Sequence, residues 1–387
     1  MNQSERRPRV LIDCTAIPAK RRGVGRYVEG LLGGFGADPS QADEIDLFVV
    51  CQQRDLVALR ADAPWAQVLA LPPLLRYRPL RLAWEQIGLP ALARRLRVEV
   101  IHSPHYTFPV AWRGARVVTL HDATFFSDPG AHTAVKRRFF RWWTRRAWKR
   151  ADVVVTPSAA SAGEIERFIG RPNGTVEVAH LGVDGAHFHP PAAAASSDFR
   201  AAHALAPSER WFAFLGTIEP RKSVPAMLDG YRWLHGQLGA DTPLLLISGG
   251  RGWDATANAM LDALPPDSGV IELGYLPAAH LSALLGDSIA VLYPTLGEGF
   301  GLPVLEAMAC GAPVLTTNRL AIPEVGGDAV LYVEPTAEAI GPAMLSLATD
   351  ATLRADLARR GLARAAAFSW EATARAHVEA YHRAERA

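Results

Sequence analysis

The sequence predicts an α/β protein of two doubly wound, Rossmann-like domains facing each other across a cleft. The chain has 387 residues, more than one hydrophobic core usually organises at roughly 100 to 200 residues per domain. Short β-branched or apolar runs alternate with longer helical stretches from end to end, the pattern of βα units feeding parallel sheets. Midway, the stretch Phe188–Ser197 sets paired prolines among small residues, which suits an exposed connection. The expected domains are residues 1–188 and 189–369, with 370–387 a terminal helix that can cross back to the first domain.

In chain order, the first half predicts strands at Val10–Asp13, Ile45–Cys51, Val100–His102, Val117–His121, Val153–Thr156 and Val176–His180. The second half repeats the design at Trp211–Gly216, Leu244–Ser248, Val270–Gly274, Ile289–Tyr293, Val314–Thr316 and Val330–Val333. From Trp370 onward, Ala374, Val378 and Tyr381 fall at helical spacing, so the last helix needs a surface to cover. Ligands of open parallel sheets bind beyond the carboxyl ends of the strands, so the chemistry is expected in the loops that follow them.

Composition narrows the class. Hydrophobic residues make up 49% and charged residues 21%, values of a folded globular protein. Cys14, Cys51 and Cys310 are odd in number and far apart, which argues against a disulfide framework or a zinc site. No window approaches the roughly 18 apolar residues of a membrane span. The expectation is a cytoplasmic protein, free or peripheral on the inner face of the cell membrane. Net charge is +2, but residues 1–190 hold 27 basic against 18 acidic side chains, so the first half is basic and the second acidic.

After the strand around Ile289–Tyr293 comes Thr295-Leu-Gly-Glu-Gly-Phe-Gly-Leu-Pro-Val-Leu-Glu306. Pro303 fits the first helical position, the turn Gly299-Phe300-Gly301 leaves backbone N–H groups open, and Leu302 opens a helix whose N-terminus attracts a diphosphate. Glu306, expected in the first turn, can accept hydrogen bonds from a ribose, while Glu298 stands at the mouth of the cleft. Each has a plainer reading: a carboxylate near a positive helix end, and glycines that only make a tight turn.

Together, the Glu-x7-Glu spacing and its surroundings closely resemble the nucleotide-sugar half of family 4 glycosyltransferases, retaining enzymes of the GT-B fold, and the resemblance extends over nearly the whole chain. It implies that Phe214–Ser223 supplies Arg221 and Lys222 to the donor diphosphate, where charge-assisted hydrogen bonds hold phosphate oxygens. Many members carry an arginine where this chain has Thr217. In the first half, Lys20–Tyr27 resembles the family's glycine loop, with Gly23 and Gly25 letting backbone approach the donor. His121 matches the histidine that the family places near the reacting sugar, with Asp122 beside it; His102 and His105 end the preceding strand and are candidates for acceptor contact. A lone histidine is more often structural than catalytic, and His121 is preferred over the other two.

The segment 136–150 carries eight basic and five aromatic side chains. Two readings stand: an amphipathic helix on anionic lipid, or a helix with its aromatics in the core and a solvated basic face. Nucleic acid is disfavoured by the near-neutral total charge and the lack of a binding module.

No Asp-x-Asp pair occurs in the chain, so metal chelation of a diphosphate is not indicated and no metal or other cofactor is expected. Lys222, Arg221 and the helix N-terminus would stabilise the leaving group. The resemblance implies retention by same-face attack, with Glu298 orienting the sugar. The segments LGTIEPRKS and GEGFGLPVLEAM look most like mannosyl or rhamnosyl transferases of bacterial surface polysaccharides, which implies GDP-mannose as donor and a lipid-linked or oligosaccharide acceptor. UDP-glucose or dTDP-rhamnose fits the same phosphate site. An oxidoreductase or epimerase should show Gly-x-Gly-x-x-Gly or Tyr-x-x-x-Lys, and neither is present. The remaining rival is a non-catalytic nucleotide-sugar binding protein.

Overall fold

A computed structural model describes residues 7–18, 23–128 and 133–387. Lys20, Arg21 and Arg22 of the first glycine loop lie outside the described residues. The chain forms two compact units: residues up to Gly182 together with Ser369–Ala387, and Val183–Phe368.

The first unit holds a parallel seven-stranded sheet in the order β3-β2-β1-β4-β5-β6-β7. Its strands are β1 (Arg9–Asp13), β2 (Asp46–Gln52), β3 (Gln67–Leu71), β4 (Val100–Ser103), β5 (Ala115–Thr119), β6 (Val153–Thr156) and β7 (Thr175–Val178). Burial on both faces explains the continuous apolar runs of β1, β2 and β6. The sequence reading missed β3, an edge strand with one exposed and two half-buried residues, because it lacks such a run. β5 ends at Thr119, so His121 lies in the loop after it rather than within the strand.

The second unit repeats the plan with six parallel strands in the order β10-β9-β8-β11-β12-β13. These are β8 (Trp211–Leu215), β9 (Leu244–Ser248), β10 (Val270–Gly274), β11 (Ala290–Tyr293), β12 (Val314–Thr316) and β13 (Leu331–Tyr332). Strand order reverses between β1 and β4 in one unit and between β8 and β11 in the other. Such switch points leave a crevice at the carboxyl ends of the strands.

Five helices bear on function: α1 (Val24–Ala37), α2 (Arg78–Arg95), α3 (Ala134–Arg150), α4 (Leu302–Ala309) and α5 (Trp370–Glu385). The last belongs to the first unit. Gly30 and Gly34, one turn apart on α1, lie against Trp370, and a Cβ at either would overlap it. Helix α5 is thereby seated on α1, burying Ala374, His377, Val378 and Tyr381.

The Phe188–Ser197 stretch is not the junction. The units divide at Gly182–Val183, Phe188 is buried, and a helix runs over Ala193–Ala202. Alanines in that stretch favour helix once the prolines are passed.

Candidate active site

Each unit gathers polar side chains at its switch point. In the second unit they come from the loop after β8 and the loop between β11 and α4. A short 3-10 turn, Pro220–Lys222, presents two cations, and two carboxylates meet them. Arg221 Nη2 donates to Glu219 Oε1 at 3.1 Å, and its Nη1 ion-pairs with Glu298 Oε1 and donates to the Gly297 carbonyl at 3.2 Å. Lys222 Nζ lies 3.4 Å from Glu219 Oε1 and 5.7 Å from the centre of the Tyr293 ring. Glu298 also accepts from Tyr293 Oη at 2.6 Å. Thr295 Oγ1 donates to the Arg221 carbonyl at 3.2 Å, and the Leu296 N–H donates to the same oxygen at 2.6 Å, so the two loops are clamped together.

Electrostatics follow from that packing. Burial opposes ionisation of Glu298, but Arg221 and Lys222 outweigh it and hold its carboxyl below the usual value. Burial also works against the Arg221 cation, and Glu298, Tyr293 and Glu219 overcome it. Lys222 is nearly inaccessible, and burial lowers it despite both carboxylates. Two cations and two carboxylates cancel formally. Arg221 is committed to Glu219, Glu298 and Gly297, whereas Lys222 has three donors, of which Glu219 takes one.

Helix α4 begins beside this cluster. Gly301 caps it at φ 111° with no side-chain hydrogen bond, a conformation that favours glycine, and a Cβ there would sit 2.9 Å from Ile322 Cδ1. Leu302 takes the first helical position and Pro303 the second. Glu306 lies in the second turn rather than the first, and it is buried. Phe300 is buried against Phe368, with ring centres 5.9 Å apart, so its side chain is core. Gly299 and Thr217 are half-buried in the two loops.

In the first unit, His121 stands just beyond β5. Its Nε2 lies 2.8 Å from the Pro104 carbonyl, which can only accept, so Nε2 carries the proton and Nδ1 is the acceptor of the neutral ring. Burial lowers its pKa from 6.5, which keeps the ring neutral at pH 7, although the Pro104 carbonyl and Asp122 act in the other direction. Tyr27 packs edge-on against it, with centres 5.0 Å apart. Asp122 Oδ1 accepts from the backbone N–H and Oγ1 of Thr124 at 3.0 and 2.8 Å and so closes the turn after the strand. His105 packs on Tyr106 and Phe140, and burial, then His121 and Arg81, lowers it to about 3. Gly23 caps α1 at φ 49°, but Gly25 lies inside the helix and is buried, so the glycine loop ends earlier than its sequence suggests.

His102 is a correction. It is fully buried, with Nε2 2.8 Å from Thr119 Oγ1 and Nδ1 2.8 Å from Tyr381 Oη. Both nitrogens serve the fold, so His102 anchors α5 instead of facing an acceptor. Tyr27 Oη joins the same network, 2.9 Å from Thr119 Oγ1 and 2.6 Å from His377 Nε2.

Sequence reasoning passed over Glu219, although it lies within the LGTIEPRKS segment, and over Tyr293 at the end of its strand. It also passed over a buried acidic pair near β1. Glu85 accepts from Arg81 Nη1 and Thr107 Oγ1, each at 2.9 Å, and burial, then the charge of Asp13, raises it to about 7. A lone acid in an arginine-rich stretch was the available signal.

Helix α3 turns most of its aromatic surface inward: Trp143 and Trp148 are buried and Phe140 stacks on Phe125 at 4.5 Å, whereas Val135 and Trp142, the latter beneath Arg146, are exposed.

Comparison with known proteins places these features. Residues 195–364 match the family model for glycosyl transferases group 1, and residues 21–187 match that for Glycosyltransferase Family 4. O-antigen chain mannosyltransferase B of Escherichia coli is 31% identical over 369 residues, covering 94% of this chain and 93% of that protein. Sucrose-phosphate synthase from Thermosynechococcus elongatus superposes with a TM-score of 0.75 at 20% identity, over 97% of this chain and 98% of that one. Anabaena Alr3699/HepE in complex with UDP and glucose gives 0.73 at 17% identity, over 96% and 99%. The protein is a glycosyltransferase with two Rossmann-like domains of the GT-B type. It belongs to glycosyltransferase family 4.

Proposed function

We propose that this glycosyltransferase moves mannose from GDP-mannose to a lipid-linked or oligosaccharide acceptor in surface polysaccharide synthesis, with retention of configuration and without a metal. The observation that carries the reading is the paired-cation loop beside the N-terminus of α4 at the switch point of the second unit. A donor diphosphate meets two sources of positive potential there, Lys222 and the open backbone N–H groups of the helix. Mannose as the sugar is supported by the relative named as an O-antigen chain mannosyltransferase.

Leaving-group charge falls on Lys222, with the helix end assisting. Arg221 stays with Glu298 and fixes that carboxylate, whose remaining lone pairs hold sugar hydroxyls and orient the donor. His121 accepts a hydrogen bond from a sugar hydroxyl at Nδ1, because Nε2–H is already given to Pro104. Glu306 reaches the ribose, and His105 and Asp122 face the acceptor side of the first unit. The departing phosphate oxygen takes the acceptor proton on the same face. The absence of an Asp-x-Asp pair, with buried Lys222 and half-buried Arg221 at the site, supports a metal-independent reading.

Among the described residues no helix is long and apolar enough to cross a membrane. Peripheral contact on the cytoplasmic side is the fitting arrangement, to which the exposed basic residues of α3 add positive charge.

Calorimetric titration with GDP, UDP and dTDP in EDTA tests the donor, since a ligand of the folded state raises apparent stability. Selective binding of GDP and an α-linked mannosyl product are expected. Selective UDP binding would replace the donor by a UDP-sugar, the nucleotide named for the Anabaena structure. Binding without turnover would leave a nucleotide-sugar binding protein.

A further inference from the structure

We propose that Leu320 is a positioning residue for Glu298, holding the backbone from which that carboxylate reaches the donor. The inference rests on the reading of Glu298 as the group that orients the sugar, and adds what keeps it in place.

Leu320 lies in the loop after β12 and adopts φ 48°. That left-handed conformation is costly for a bulky side chain and open to glycine. The other non-glycine residues with positive φ among the described residues are Arg97, Tyr106, Ala204 and Ser223, so Leu320 is the one large aliphatic in the set. Core burial does not account for it, because the residue is 41% exposed. A strained backbone persists only where its surroundings enforce it, and the strain directs attention to what the side chain touches.

It touches Gly297. A Cβ on Gly297 would lie 2.5 Å from Leu320 Cδ1 and 3.3 Å from Cγ, so the isobutyl group fills the space that a side chain there would need. Gly297 does not have positive φ, and what excludes a larger residue is this contact rather than the turn. Buried beneath Leu320, it immediately precedes Glu298. The far end of the turn is held in the same way, since a Cβ on Gly301 would sit 2.9 Å from Ile322 Cδ1. Two side chains of one loop therefore bracket Glu298 between residues 297 and 301.

That loop is itself fixed. Thr317 Oγ1 donates to the Thr295 carbonyl, and Arg319 Nη2 donates to Glu334 Oε2 at 2.8 Å. Arg221, the ion-pair partner of Glu298, also donates to the Gly297 carbonyl, so a shift of Gly297 displaces the carboxylate and the anchor of its counter-ion together. Glycine has the most permissive backbone, and without the isobutyl cover its freedom passes to the next residue, Glu298.

The test is steady-state transfer, nucleotide binding and melting of Leu320→Gly, Leu320→Asn and Leu320→Met, with Glu298→Gln as the reference. The donor is whichever nucleotide sugar the parent turns over, so the outcome does not depend on mannose. Leu320→Gly relieves the backbone and removes the cover: melting within about 3 °C of the parent is expected, with unchanged affinity for GDP or UDP and a kcat lower by at least about tenfold. Leu320→Asn, which tolerates positive φ but offers no apolar cover, should match it. Leu320→Met keeps the volume and should restore kcat to within about threefold of the parent. In the Glu298→Gln background Leu320→Gly should add less than about twofold. A parental kcat in Leu320→Gly, a loss in all three variants that tracks melting, or full multiplication with Glu298→Gln would overturn the proposal. Parental turnover by Glu298→Gln would remove the orienting carboxylate and its support together, whereas an impaired Glu298→Gln beside a parental Leu320→Gly would remove the support alone.

Discussion

Replacing Gly216 by alanine isolates the work of Lys222 without touching a charged residue. Gly216 follows β8 at φ +150°, and a Cβ there would lie 2.5 Å from Lys222 Nζ, 3.4 Å from Cε and 3.6 Å from Cδ. Ordinary separations begin near 3.5 Å, so the ammonium must retreat by about 1 Å. The clash is with the tip of a flexible side chain and costs the fold little. The positive φ adds about 1–3 kcal/mol of strain, within a stability of roughly 5–15 kcal/mol. The chemical cost is larger: a displacement of about 1 Å costs up to about 10²-fold, and removing one transition-state charge donor about 10²–10³-fold. A kcat fall of about 10²-fold with an intact fold is therefore expected for Gly216→Ala, somewhat less than for Lys222→Ala. The assay is steady-state transfer by both single variants and the double variant. If Gly216→Ala acts through Lys222, the double variant resembles Lys222→Ala instead of multiplying the two losses. Full multiplication, or a Gly216→Ala enzyme with parental kcat, would refute the reasoning.

Tyr27→Phe removes the hydroxyl that meets His377 Nε2, while Thr119 keeps His102; one buried nitrogen is orphaned, at about 1–3 kcal/mol. Scanning calorimetry should show melting lowered by several degrees, and an unchanged transition would contradict the network. Glu85 gives a pH effect of defined sign. Its folded carboxyl, raised to about 7 by burial and then by Asp13, holds a proton that the unfolded chain releases near 4.5. Its contribution is therefore greatest below about pH 4.5, falls as pH rises toward about 7, and changes no further above that. Denaturant titrations across that window should find a flatter profile in Glu85→Gln, and an identical slope would remove Glu85 as the cause.

Strand positions were legible wherever both faces of a strand are covered, because burial on two sides forces continuous apolar runs such as Val10–Asp13 and Val153–Thr156. β3 lacked that pressure and was missed. Spacing around Glu298 and Gly301 revealed the loop and its helix, but not the ion pairs that tie Arg221 to Glu298, because those need two loops from separate strands. Aromatic content alone left two readings of α3 open. The side on which Trp143 and Trp148 lie is set by what packs beneath them.

The sequence by itself determined the fold class, the family and the loops that carry the polar residues, since these follow from periodicity and from local motifs that neighbours along the chain define. Only the tertiary structure decided that His102 anchors α5 while His121 stands near the strand ends, and that α5 belongs to the first unit. Each depends on which surface meets a given side chain. That surface comes from residues tens or hundreds of positions away, as when Tyr381 closes on His102 and Trp370 on Gly30.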